Sequence, residues 1–291
     1  MSLDLAGTSE GSGPTEDVPA PPRRGGREVI YRHAGLVRLT HWLNALAIFC
    51  LVGSGLNIFN AHPALYWGQK GSELDQPFLS LGAEETRAGL RGVTRIFGFR
   101  FDTTGVLGVS NQAGGAVERG WPSWITLPSQ TDLADARHWH FFFAWVLVVN
   151  GALYLAWSLG RGHFRRDLWP TVADLKAIPR SVLDHIRLKH PTGEAAKRYN
   201  VLQRLAYRGV ITLIIGMALT GLCMSPGFSA FAPGLVQAFG GRQSARALHF
   251  LFAASIVAFI TIHLIEVVLA GPINEVRSMI TGRYAVPQEH D

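Results

Sequence analysis

Cysteine and charge are both scarce in this chain of 291 residues, and each shortage removes a class of protein. The two cysteines, Cys50 and Cys223, sit inside apolar runs, so neither a disulfide framework nor a thiolate metal site is available. Charged residues make up 16 % against 48 % hydrophobic ones, at a mean hydropathy of +0.17. Ordinary soluble domains carry about 25 % charge, so this chain is too apolar to be one. The formal net charge of +6 does not point to nucleic acid, because the basic residues flank apolar runs rather than cluster with aromatics. An apolar h-region is missing from the start as well. Met1 to Gly26 is polar and rich in Gly, Pro and Ser, which reads as no signal peptide and a disordered tail over residues 1–28.

What the chain does have is long apolar runs. Four of them, at about 36–59, 138–159, 205–224 and 244–270, are long enough to cross a hydrocarbon core of roughly 30 Å as helices. Arg23, Arg24, Arg27, Arg32 and Arg38 lead into the first, and ten Lys or Arg residues from Arg161 to Arg204 separate the second from the third. The third link holds only Arg242 and Arg246. By the positive-inside rule both termini and the second link face the cytoplasm, and the first link lies outside. The expectation is an all-α membrane protein of the bacterial inner membrane: a four-transmembrane-helix bundle over residues 29–284, with a short tail at 285–291.

Two links stand out. The outer one, Asn60–Arg137, is expected in the periplasm, and a structureless loop of that length is uncommon unless it has work to do. It either docks a partner or caps its own bundle. The inner link contains Thr171 to Leu188, basic and amphipathic, which predicts a cytoplasmic interfacial helix interrupted at Pro179. His185 and His190 in it read as solvated surface residues.

Histidine inside a membrane span is a functional signal by default. The first span offers His41, the second His138 and His140, and the fourth His249 and His263. His249 and His263 are fourteen residues apart, which is about 21 Å along a helix and about 40° short of whole turns, so both leave one face. Depth then pairs them. His41 and His263 fall on the cytoplasmic side, and His249 with His140 or His138 on the periplasmic side. Four ligands at two levels are what two bis-histidine haems require. No Cys-x-x-Cys-His occurs, so these would be non-covalent b haems.

Neighbouring residues separate His140 from His138. Arg38, Arg137 and Arg246 each precede a histidine by three residues, on the same helix face, where a guanidinium can pair with a haem propionate. Asp135 holds that position before His138 and would repel one. His140 also shares its face with the small residues Ala144 and Gly151, so His140 is the expected ligand. Singly, each arginine also suits an interfacial anchor. At the cytoplasmic end, Asn200 and Gln203 offer hydrogen bonds to a quinone headgroup, and Glu266, three residues after His263, offers a proton path. A helix cap with an interfacial amide suits the first two equally, and simple solvation suits Glu266.

Thr40-His41-Trp42-Leu43-Asn44, Trp139-His140-Phe141 and the two histidines fourteen apart on the last span resemble the di-haem cytochrome b subunits of bacterial nickel–iron hydrogenases, formate dehydrogenases and thiosulfate reductases. Gly162-His163-Phe164-Arg165-Arg166 and Gly240-Gly241-Arg242-Gln243 are most similar to a subgroup paired with a periplasmic molybdopterin oxidoreductase. The resemblance implies a membrane subunit passing electrons between a periplasmic partner of molybdopterin or hydrogenase type and quinone. It also implies that Tyr199, Asn200 and Gln203 match a Tyr-Asn-x-x-Gln of the quinone site. A second class is a stand-alone, quinone-linked cytochrome b that oxidises a small species such as superoxide. A third, a haem-free transporter or scaffold bundle, predicts no pairing of histidines by depth.

Overall fold

The computed structural model describes residues 28–71, 75–112, 114–161, 176–187 and 201–286. Strand β1 (Val29–Tyr31) leads into helix α1 (Gly35–Asn60), followed by strands β2 (Ala64–Leu65), β3 (Leu79–Thr86), β4 (Gly89–Ile96), β5 (Phe99–Asp102), β6 (Gly108–Gln112) and β7 (Gly115–Arg119). A 3₁₀ turn at Ser123–Ile125 precedes α2 (Leu133–Gly160) and α3 (Ile178–Ile186). Then come α4 (Val201–Met224), two short helices α5 (Pro226–Phe231) and α6 (Pro233–Ala238), α7 (Arg242–Leu269), α8 (Pro272–Thr281) and strand β8 (Arg283–Ala285). Among the described residues α1, α2, α4 and α7 are long and apolar enough to cross a bilayer.

Helix ends follow local chemistry. Asp132 caps α2 by accepting from the Asp135 amide at 3.0 Å, and Asp135 adds a carboxylate to the first turn. α5, α6 and α8 each open with a proline, whose missing N–H costs nothing there. α7 begins after Gly241, whose φ is 109° and whose position would put a Cβ 2.6 Å from the Gly68 carbonyl oxygen. That carbonyl accepts from the amides of Gln243 and Ser244, and Ser244 Oγ accepts from the Gly68 amide at 2.7 Å. The outer link is thereby clamped to the start of α7.

The purely all-α expectation is overturned by that link. It folds into a four-stranded antiparallel sheet, in order β2-β3-β4-β5, and a β6-β7 hairpin. The period-two pattern of Leu79–Thr86 and Gly89–Ile96 is the cause. Phe97 and Gly98, both at positive φ, turn β4 into β5. Pairing register puts Leu79, Ile96 and Phe99 in one row and Leu81, Thr94 and Phe101 in the next, on one face. The other face holds Glu84, Arg91, Arg95, Arg100 and Asp102. Glu84 accepts from Arg95 and Arg100 at 2.6 Å each, and Arg91 pairs with Asp102 at 3.1 Å. Leu81 and Leu65 close on Phe59 at the end of α1, with Trp121 and Phe250 against them, so the sheet sits on the helix ends. Gly92 is obligatory where the chain crosses the sheet, since a Cβ there would lie 2.1 Å from the Leu107 carbonyl oxygen.

From Trp121 the chain returns along α1. Asn60 holds the Trp121 amide and carbonyl at 2.7 and 3.1 Å, Leu127 N–H donates to Gly53 O at 3.0 Å, and Asn57 Nδ2 donates to the carbonyls of Pro128 and Gln130. At the opposite end β1 pairs with β8, and Trp42 Nε1 donates to the Met279 carbonyl at 3.1 Å, tying the start of α1 to α8. α3 is amphipathic and carries Pro179 in its first turn, just after a break at Ala177 that separates it from helical Lys176. The rest of Thr171–Leu188 on the N-terminal side, to residue 175, and Leu188 itself lie outside the described residues, as does His190.

Candidate functional site

α1 packs closely on α2 and α4 on α7, whereas close backbone approach between these two pairs is sparse. Histidine side chains bridge the interval. His140 of α2 and His249 of α7 each stand seven residues into their helices, about 10 Å deep. Their ring centroids lie 6.2 Å apart. His41, six residues into α1, and His263, six residues before the end of α7, have centroids 6.4 Å apart. His263 stacks on Phe259 at 6.0 Å, and Trp42 meets His41 edge-on at 5.2 Å. His138 points away, 82 % exposed, 4.0 Å from Asp135.

These separations can be tested against a shared metal. A metal–imidazole bond is about 2.0 Å and the bonding nitrogen stands about 1.1 Å from its ring centroid, so two rings gripping one metal in line have centroids about 6.2 Å apart. Both pairs fit. The surroundings of the outer pair fit as well. Ser54 Oγ lies 3.1 Å from His140 Nδ1, and Thr220 Oγ1 lies 3.0 Å from His249 Nδ1. Each hydroxyl spends its own hydrogen on a carbonyl of its helix, Cys50 at 2.6 Å and Gly216 at 2.7 Å. It therefore accepts from Nδ1–H, which leaves the Nε2 lone pair free for a metal. Gly55 and Gly221 follow, and Cβ atoms on them would press to 3.3 and 3.4 Å from Cε1 of the same rings. Neither hydroxyl was singled out in the sequence, although a Ser-Gly and a Thr-Gly inside apolar spans are visible there. The inner pair lacks this brace: among the described residues nothing hydrogen-bonds His41 Nδ1.

The arginines preceding the histidines are otherwise engaged. Arg246 donates to the carbonyls of His62 and Ala64, the latter at 2.7 Å. Arg38 donates to the Ile280 carbonyl and approaches Tyr31 Oη at 3.4 Å. Arg137 stands 5.7 Å over the Phe141 ring on the exposed side of α2. Asn150, buried in α2, donates to Thr40 O at 2.9 Å and Asn44 Oδ1 at 2.7 Å, which fixes the turn bearing His41. His33, just ahead of α1, was not foreseen. Burial, then the charges of Arg32, His41 and Arg38, hold its pKa down to about 4. Asn200 lies outside the described residues. Gln203 opens α4, and Glu266 stands within electrostatic reach of His263.

Four apolar helices bridged by two histidine pairs define a multi-pass membrane haem protein of the cytochrome b type. Residues 32–282 match the profile of the prokaryotic cytochrome b561 family, and the chain belongs to that family. It is also similar, at 29 % identity over 248 residues, to the putative protein-methionine-sulfoxide reductase subunit YedZ1 of Azospira oryzae. That match spans 84 % of this chain and 93 % of the relative.

Proposed function

We propose that the protein is a membrane-anchored, di-haem b electron-transfer subunit linking a periplasmic redox enzyme to quinone. His140 and His249 would hold the outer haem, and His41 and His263 the inner one. Bound haem b supplies one-electron redox chemistry at each level. α7 contributes a ligand to each pair, so this one helix fixes the span of about 21 Å over which electrons cross. Braced by Ser54 and Thr220, the outer rings are oriented before any metal arrives. His263, the most open of the four, shares the end of α7 with Glu266, and at this level Glu266, Gln203 and Asn200 would receive the quinone headgroup.

The observation that carries this reading is the pair of histidine clasps, 6.2 and 6.4 Å between centroids, on a common helix. The basic residues support an inner-membrane protein with both termini in the cytoplasm and the strand-rich link in the periplasm. There the link offers a folded platform to a partner. The Azospira relative is named as a reductase subunit, which supports a subunit role for this chain beside a separate enzyme. By the resemblance of its motifs, that enzyme would be of molybdopterin or hydrogenase type. Purified protein is expected to give the reduced-minus-oxidised spectrum of low-spin b haem with two haems per chain. One haem per chain, or none from haem-sufficient cells, would sink the proposal.

A further inference from the structure

Arg119 closes β7 with its side chain almost wholly enclosed, the residue being 4 % exposed. Nη2 donates to Thr126 Oγ1 at 2.7 Å. Nε and Nη1 are buried, and among the described residues neither has a hydrogen-bond partner. No carboxylate among those residues pairs with it. A buried guanidinium left in this state is costly, because its lost hydration is not replaced. A purely structural arginine here would do what Arg246 does, which is to spend its donors on backbone carbonyls.

The position of Arg119 says what it awaits. Thr126, which it grips, is followed by Leu127, whose N–H binds the Gly53 carbonyl. Gly53 is succeeded by Ser54 and Gly55, the residues against His140. Trp121, two residues beyond Arg119, holds a second buried and unpartnered donor at Nε1. Its ring packs on Phe59, and Phe59 on Phe250, the neighbour of His249. Orphaned donors thus stand on the extramembrane side of the outer histidine pair, where a carboxylate can be met by charge-assisted hydrogen bonds.

We propose that Arg119, with Trp121 beside it, binds a propionate of the haem held between His140 and His249. This assignment rests on the outer-haem reading. It moves the outer propionate contact from Arg137 and Arg246, the residues chosen by sequence spacing, to an arginine supplied by the folded link. The link then serves the cofactor directly as well as any partner above it.

A chemical cycle tests the pairing. Full-length apoprotein carrying His41→Ala, so that only the outer pair can ligate, is titrated in detergent with haem and with haem dimethyl ester, following the low-spin Soret band. With Arg119 intact the ester is expected to bind about tenfold or more weakly than haem. With Arg119→Gln added the two are expected to bind alike. Arg119→Lys, which keeps the charge without the fork, is expected to fall between. Equal binding of haem and ester with Arg119 present overturns the proposal, as does undiminished discrimination in either variant. Because the lysine form also decides, a failure of Arg119→Gln to fold leaves the test standing. If the His41→Ala chain and the unaltered chain both take up no haem, the outer-haem reading fails instead.

Discussion

Ser54 Oγ lies 3.1 Å from His140 Nδ1 across the α1–α2 contact, and Thr220 Oγ1 repeats the relationship with His249 at 3.0 Å across α4–α7. Two unrelated helix pairs have thus reached one solution for holding an imidazole. A hydroxyl whose hydrogen is already committed to its own helix fixes the ring's tautomer, and a glycine after it lets the ring approach. Ser54→Ala and Thr220→Ala should each weaken outer-haem retention about tenfold and raise that haem's midpoint potential, since a ligand without its acceptor is less basic. Ser54→Thr and Thr220→Ser should restore both. Redox titration resolving the two haems checks this, and an unmoved outer potential in both alanine variants removes the tautomer argument.

His138 and His140 differ by two residues but face opposite ways, one 82 % exposed and the other across from His249. His140→Ala should leave one haem per chain, while His138→Ala keeps two. Pyridine haemochrome content per mole of purified protein measures this directly, and the reverse result would transfer the ligand role to His138.

The membrane helices were legible because a run of apolar side chains about twenty residues long has few other solutions. The depth of each histidine within its run was legible too, which is why the rings pair by level from the sequence alone. The strands are harder to read, because a long link between spans resembles a loop by its length and glycine content, although Leu79–Thr86 and Gly89–Ile96 alternate as strands do. The true partners of Arg246 could not be read at all. They are carbonyls at His62 and Ala64, and backbone groups become neighbours of a distant side chain only once the sheet has folded. Ser54 was hidden for a different reason: a serine in an apolar span bonds its own helix as readily as a neighbour.

The sheet carries its own pH signature. The hydrogen bond from Arg100 leads in holding the Glu84 carboxyl below its usual 4.5, with the charges of Arg100, Arg95 and Arg91 behind it. A depressed carboxylate pKa gives stability that is present above the unfolded value and lost as pH falls through the folded one. Amide protection in β3, β4 and β5, taken relative to the intrinsic exchange rate at each pH, should therefore fall below about pH 4.5 in the unaltered protein, and Glu84→Gln should show lower protection already at pH 7 with a flatter acid response. Salt should narrow the difference, because the ion pairs are exposed. Identical profiles for the two proteins would mean that these pairs contribute nothing to the sheet.

Gly241 joins the link to α7, and the demand there is twofold. Its φ of 109° strains any other residue, and a Cβ would meet the Gly68 carbonyl at 2.6 Å. Gly241→Ala should cost about 1–3 kcal/mol for the backbone conformation, with a further loss from prying Gly68 off Gln243 and Ser244. Thermal unfolding monitored by tryptophan fluorescence should show the drop, accompanied by easier proteolysis of residues 61–71. A melting curve matching the unaltered protein would show that the clamp yields without cost.

The end of the bundle that holds His41 and His263 supplies the sharpest separation of haem binding from turnover. His263 stacks on Phe259 and is the least enclosed of the four rings, so under the proposed function a quinone headgroup would approach at this level. Its carbonyls would need donors, and under the proposed function Gln203, in the first turn of α4, would give one and Asn200, which precedes that helix in sequence, the other. Asn200→Ala and Gln203→Ala should slow quinol-driven haem reduction about tenfold while both haems stay bound and their spectra stay unchanged. Reduction of the haems by dithionite should be unaffected, because it bypasses the headgroup. Stopped-flow measurement at the haem α-band distinguishes the two routes. Quinol kinetics equal to the unaltered protein in both variants would detach the quinone from α4 and leave the region around Glu266 and His33 to be searched.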